Sequence, residues 1–166
     1  MMKKGRCMRM ENLVIVPMTT EYAHAISRWK YADPYDFYSH REENVEEYMD
    51  GTHFAATDKG SGLVGYFCFG PEARIPTVEK NVYDNDLLDM GLGLRPDLCG
   101  KHKGLPFLLH GLDYARQAYG VKGFRLSVAA FNERAIKVYA KAGFRIEHEV
   151  TNSYYQNKFF VMKYVI

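Results

Sequence analysis

Asn132 and Tyr139 stand seven residues apart, just ahead of Gly143-Phe144. Seven residues is about two helical turns, so on a helix the amide and the phenol share one face. A phenol ordinarily titrating near ~10 can give its proton to a departing thiolate whose conjugate acid resembles a cysteine near ~8.5. Upstream, the turn Cys99-Gly100-Lys101-His102-Lys103-Gly104 leads into another amphipathic segment. A helix start leaves N–H groups unpaired and carries partial positive charge, which suits phosphate. Gly100 and Gly104 permit close backbone approach, Lys101 and Lys103 add cations, and Pro106 falls where a missing N–H costs little. These residues describe a site for a phosphate-bearing cofactor whose leaving group needs a proton. A plain Gly-containing connection before a helix is the competing reading of the turn, and capping the helix is an equally good use of Asn132.

The elements that must position these residues follow from periodicity. Leu13–Pro17 reads as a first strand, and Thr19 or Thr20 caps a helix running to about Trp29. Tyr31–Tyr38 is a proline-broken aromatic loop, and Val45, Tyr48 and Met49 make a short helix that Gly51 ends. The period then switches to two: Phe54–Thr57 and Gly62–Phe69 flank Asp58-Lys59-Gly60 as a hairpin. Residues 71 to 86 are irregular, with Pro71, Pro76 and an acidic stretch at Asp84 and Asp86. Leu87–Leu94 is a further strand, and Gly91 and Gly93 inside it weaken a sheet unless backbone must approach something there. Leu105, Leu108, Leu112, Ala115 and Tyr119 lie on one face of a helix over about 104 to 119. Phe124–Val128 is a strand, the Asn132–Ala142 helix follows, and Phe144–Val150 and Tyr154–Val165 close the chain as strands. Strands with interposed helices and C-terminal hairpin strands predict one α+β, or mixed α/β, layered domain over 11–166 behind a mobile basic tail at 1–10.

The stretch Leu94-Arg-Pro96-Asp-Leu-Cys99-Gly-Lys-His102-Lys-Gly104 resembles the acetyl-CoA pyrophosphate loop of the GNAT N-acetyltransferases, Gln/Arg-x-x-Gly-x-Gly/Ala. Asn132-Glu-Arg-Ala135-Ile-Lys-Val-Tyr139-Ala-Lys-Ala-Gly143-Phe144 resembles that family's second cofactor motif, and is the stronger match because Asn, Ala, Tyr and Gly-Phe fall at the expected spacing. Cys99 stands at the usual Gln/Arg position and His102 at the usual first glycine. Every residue from Cys99 to Leu105 keeps its N–H, but His102 adds a Cβ and a ring where backbone usually nears phosphate.

The resemblance implies a mostly antiparallel sheet of six to seven strands, flanked by about four helices and splayed at a central strand. It places the pantetheine arm in the gap, against the peptide groups of Leu92, Gly93 and Leu94, with the amides of Cys99 to Leu105 on the pyrophosphate. It makes Tyr139 the general acid, and a free N–H near Leu92 could stabilise the oxyanion. A bulge with no ligand is the alternative for the Gly91/Gly93 strand. The expected reaction is transfer of the acetyl group of acetyl-CoA to a primary amine by direct attack in a ternary complex. Transfer of a different acyl group, or non-catalytic acyl-CoA binding, is the alternative. Asp89, with Asp86 just before it, is the candidate base, directly or through water, and deprotonation by bulk water is the alternative for an acceptor of low pKa. The implied acceptor pocket takes in Trp29, Tyr35, Asp36 and Tyr154, where carboxylates among aromatics suit a cationic amine. Cys68 and Cys99 have no histidine at a pairing spacing, so an acyl-cysteine route is disfavoured.

Composition sets the outer limits. At 166 residues the chain fits one domain, with an ordinary soluble makeup of 47% apolar and 25% charged residues. A net charge of +2 without a Lys/Arg block argues against nucleic acid. No stretch approaches the ~20 apolar residues of a membrane span, and the basic start has no apolar region behind it. Three scattered cysteines fit reduced thiols and a cytoplasmic location. The histidines show neither an i,i+4 pair nor a nearby Cys pair, so no metal is expected. Oligomeric state is not legible, although homodimers are common among the proteins the chain resembles.

Overall fold

The computed structural model describes residues 10–39, 42–83 and 86–166. The basic segment before Met10, with Cys7, lies outside them, as does Asp84. In chain order the elements are β1 (Leu13–Pro17), α1 (Thr20–Ser27), β2 (His53–Asp58), β3 (Gly62–Phe69), β4 (Leu88–Leu94), α2 (Gly104–Tyr119), β5 (Gly123–Ala129), α3 (Glu133–Ala142), β6 (Arg145–Thr151) and β7 (Lys158–Val165). They form one seven-stranded sheet in the order β1-β2-β3-β4-β5-β7-β6. Every pairing is antiparallel except β4 with β5.

Local chemistry explains the element ends. Thr19 caps α1 by accepting from the Tyr22 N–H at 3.1 Å. The helix stops at Ser27 rather than Trp29, because the Arg28 and Trp29 N–H groups turn back to the Ala25 and Ile26 carbonyls in a tighter closing turn. The expected helix before Gly51 is a 3-10 helix over Glu42–Met49. Its two buried apolar residues, Val45 and Tyr48, are three apart, which matches three residues per turn. Among the described residues, three α-helices therefore stand where about four were expected. α2 and α3 both end on left-handed glycines, Gly120 and Gly143.

The two sheet faces are covered differently. Phe67 is buried against α2, its ring 4.5 Å from that of Phe107. Gly111 makes room for it, since a Cβ there would lie 2.2 Å from the Phe67 ring. Tyr66, the next residue on β3, points to the opposite face. There it packs with Trp29 and Tyr48 in a smaller apolar cluster that includes Ala23, Ile26 and Val45. α2 and α3 thus lie on the face bearing the main core, and α1 with the 3-10 segment on the other.

The feature that matters for function is the β4–β5 junction. The two strands pair only at Leu88↔Phe124 and Asp89↔Arg125. Beyond that rung β4 continues with β3 as far as Leu94, while β5 continues with β7. The sheet is therefore splayed at its centre, as expected.

Candidate active site

The splay opens onto a cavity of about 600 Å³ whose walls include β4, the 99–104 turn, α3, the aromatic 31–38 loop and residues of β2, β3 and β5. Its β4 wall presents backbone peptide groups. The Arg95 N–H donates to the Val64 carbonyl and the Asp89 carbonyl accepts from Gly70, so odd-numbered peptide groups face β3. Strand alternation then turns the peptide groups of Met90, Leu92 and Leu94 toward the gap. The Leu94 carbonyl also accepts the Tyr31 hydroxyl at 2.8 Å. Gly93 is required for a different reason than expected: a Cβ there would lie 2.2 Å from the Tyr66 ring. At Gly91 a Cβ would meet only ordinary contacts at 3.8 Å or more.

The turn before α2 holds two residues in the left-handed region, Gly100 at φ +71° and His102 at φ +58°. A histidine there carries strain that a glycine would not. α2 has no side-chain cap at its start, which leaves its first N–H groups for a ligand. Cys99, Gly100, His102 and Gly104 line the cavity; Lys101, Lys103 and Leu105 do not. Lys101 is exposed and Lys103 is buried with partners of its own.

Arg134, on the first turn of α3, is a cation that the sequence reading missed. It lines the cavity, lies 4.1 Å above the Tyr35 ring, and would meet a Cβ at Gly100 at 3.1 Å from its Nη1. Only folding reveals it, because nothing in the sequence relates position 134 to position 100.

Tyr139 faces the same cavity from α3. Its hydroxyl has no hydrogen-bond partner among the described residues. Burial pushes its phenol well above the ordinary range, with the neighbouring Tyr38 and Tyr66 adding to the effect. The shift keeps the proton on the hydroxyl, as a donor role requires, and also makes the phenol a weaker acid until charge develops beside it. Asn132 makes the helix cap, its Oδ1 accepting the Ala135 N–H at 3.1 Å. Its Nδ2 reaches the Tyr38 hydroxyl at 3.4 Å, and the residue still borders the cavity.

Asp89 does not have the setting of a base. It is 4% exposed, is absent from the cavity wall, and is held by three charge-assisted hydrogen bonds. Arg125 donates through Nε to Oδ1 at 2.6 Å and through Nη2 to Oδ2 at 2.9 Å, and Arg74 Nε donates to Oδ2 at 2.7 Å. A carboxylate so committed holds the strand junction together. The cysteines are equally poor nucleophiles. Burial raises the Cys99 thiol despite Arg134, and pushes Cys68 up to about 11.

On the acceptor side, Tyr35 lines the cavity together with Tyr31, Phe37, Tyr38 and Tyr155. Phe37 is the hub, its ring within 6.2 Å of those of Tyr38, Phe131, Tyr155 and Phe159. Trp29 is instead packed behind Tyr66, and neither Asp36 nor Tyr154 reaches the wall. Tyr154 is 77% exposed and packs edge-on against Tyr155, so the neighbouring tyrosine takes the place expected for it. His53 and Glu72, which the sequence reading did not single out, border both this cavity and an adjoining pocket of about 470 Å³ containing Glu47 and Asp50.

A splayed β4, a helix-capped turn beside it and a tyrosine on the following helix together match a known arrangement. The sequence model of the acetyltransferase (GNAT) family matches residues 20–144, well over half of the chain. The chain belongs to the GNAT acetyltransferase family. No match was found among curated proteins. Among solved structures, a GNAT-family acetyltransferase from Bacillus anthracis superposes with a TM-score of 0.70 at 15% identity, covering 93% of this chain and 95% of that one. A chimera of the spermidine N-acetyltransferase SpeG from Vibrio cholerae and hSSAT gives 0.68 at 18% identity, covering 93% and 96%. At such identities the likeness establishes the GNAT fold and leaves the acceptor to the chemistry of the site.

Proposed function

We propose that this GNAT protein transfers the acetyl group of acetyl-CoA to a primary amine by direct attack in a ternary complex. One observation carries the reading: the β4 edge that β5 leaves after Asp89, the uncapped start of α2 and a Tyr139 hydroxyl without a hydrogen-bond partner among the described residues converge on a single cavity. The residues fit the donor. The amides from Gly100 to Leu105, with Lys101 and Arg134 nearby, suit the pyrophosphate, whereas the Cys99 N–H is already given to the Pro96 carbonyl. The peptide groups of Leu92 and Leu94 turned into the gap suit the pantetheine, while that of Gly93 between them faces β3, and Asn132 borders the same path.

Each residue then has a task. The N–H of Leu92 turned into the gap is placed to stabilise the oxygen of the acetyl carbonyl as charge develops on it. Tyr139 protonates the departing thiolate. The aromatic wall of Tyr31, Tyr35, Phe37 and Tyr155 suits a cationic acceptor through ring faces, with Glu72 as a nearby countercharge. That the Vibrio cholerae neighbour is a spermidine N-acetyltransferase supports an amine acceptor.

Calorimetry with acetyl-CoA, followed by thiol release across spermidine, aminoglycosides, amino acids and peptide amines, tests the reading. Binding with thiol release dependent on one amine class is expected. Absence of binding at millimolar acetyl-CoA would overturn it, and binding without thiol release would favour a non-catalytic acyl-CoA-binding protein.

A further inference from the structure

With Asp89 locked by two arginines, the proton that a protonated amine must lose before attack has no acceptor at the expected position. The cavity wall offers few others. Cys68 is pushed up to about 11 by burial, and His102 lies at the turn, the end where a pyrophosphate would sit. His53 and Glu72 remain.

His53 is the more completely prepared of the two. It starts β2 and is the direct cross-strand partner of Cys68, which is in turn the partner of Gly91 on β4. Cross-strand partners carry their side chains on one face. Cys68 is short and Gly91 has no side chain, so the imidazole shares a face with the β4 edge on which the side chains nearest Gly91 are those of Ala73 and Cys68. Its Nδ1 lies 2.9 Å from Asp50 Oδ1, with the Thr52 hydroxyl donating to the same carboxylate oxygen at 2.8 Å. An ionised carboxylate only accepts, so Nδ1 carries the hydrogen and Nε2 carries the lone pair. No described residue bonds to Nε2. Tyr48 meets the ring edge-on at 5.3 Å and Tyr66 lies at 6.4 Å, which limits its rotation. The charged groups sharing its pocket are Asp50, Glu47 and Glu72, all anionic, so no cation there competes with an ammonium for the site.

We infer that His53 Nε2 is the base that deprotonates the acceptor ammonium, and that Asp50 is the residue positioning it. The assignment rests on the acetyl-transfer reading. One N–H bond of the ammonium breaks as the Nε2–H bond forms, and the freed lone pair attacks the acetyl carbonyl. The C–S bond then breaks and the thiolate takes the Tyr139 proton. The second proton shed by the nitrogen, as it becomes an amide, replaces the one Tyr139 gave. The proton on His53 passes to water and is the net proton released. An imidazole, ordinarily near ~6.5, is a better match to an amine than a carboxylate near ~4.3.

The test compares wild type, His53→Gln, Asp50→Asn and Glu72→Gln across pH. It uses acetyl-CoA and whichever primary amine of the panel above wild type turns over. For His53→Gln, kcat/KM at neutral pH is expected to fall about 100-fold. It should recover as pH nears the acceptor's own pKa, with acetyl-CoA affinity by calorimetry unchanged. Asp50→Asn should fall about tenfold and displace the acid limb of the profile. A His53→Gln profile superimposable on wild type, or an acid limb erased by Glu72→Gln alone, would overturn the role of His53 while leaving acetyl transfer intact. Wild type that turns over no amine overturns the acetyltransferase reading and this inference with it. Independently of variant folding, imidazole 15N shifts of the wild type should show the Nδ1–H tautomer at His53, and an Nε2–H tautomer would refute the assignment.

Discussion

Arg125 grips both carboxylate oxygens of Asp89 at the last paired rung between β4 and β5, the point from which the sheet opens. The arginine is fully buried and the aspartate nearly so. Replacing Asp89 by Asn would leave a buried guanidinium without its countercharge, at a cost of about 3–5 kcal/mol. Urea unfolding of Asp89→Asn should show that loss. An undiminished stability accompanied by a collapsed kcat would instead return Asp89 to the chemistry.

Tyr139→Phe removes a proton donor while keeping the ring that packs 6.1 Å from Phe144. The turnover number should fall about 100-fold with acetyl-CoA affinity almost unchanged. Because burial raises this phenol, the wild-type kcat should show no basic limb from Tyr139 at or below its ordinary ~10. A turnover number insensitive to the substitution would remove the residue from the acid role.

His102→Gly exchanges a side chain at φ +58° for the one residue at ease there. Relief of left-handed strain should stabilise the fold by about 1 kcal/mol, less the extra freedom glycine gains when unfolded. The same change clears the ring from the cavity wall, so acetyl-CoA should bind more tightly. Denaturant midpoints and calorimetric Kd values check the two halves separately.

Arg134→Ala should weaken acetyl-CoA binding about tenfold, the scale of one lost charge-assisted contact. The loss should shrink as salt is raised, since the group borders open solvent. Tyr35, whose ring Arg134 covers at 4.1 Å, would be freed at the same time. A salt-independent change in Kd would point to lost packing rather than lost charge.

Asp50 supplies a pH signature. Burial alone would raise its carboxyl, but hydrogen bonds from His53, the Thr52 N–H and the Thr52 hydroxyl outweigh it and hold the group at about 2. An unfolded aspartate titrates near ~3.9, so this contribution is fully present above about pH 4. It is lost as pH falls toward about 2. Asp50→Asn should flatten the acid-unfolding curve in that window, and coincident curves would show that Asp50 contributes nothing there.

Most of the fold was readable because its signals are local. The two-residue period of β2 and β3, the cap at Thr19 and the seven-residue Asn132–Tyr139 spacing each depend on residues close in the chain. The 3-10 form of Glu42–Met49 was not readable, because it follows from docking Val45 and Tyr48 three residues apart.

By itself the sequence determined the order of elements, the glycine-bearing strand, the turn before α2 and a tyrosine on the helix after β5. Those depend on backbone periodicity, on residues that tolerate particular turns, and on spacing along one helix. Tertiary structure alone decided which charges meet. It buried Asp89 against Arg125 and Arg74, away from the cavity wall. It set Arg134 beside Gly100, and put His53 on the cavity wall while Asp50 held its Nδ1. The reason is physical: what an ionisable side chain can do depends on its burial and its partners. Here Asp89 and Arg125 are 36 residues apart in the chain, and Gly100 and Arg134 belong to different elements.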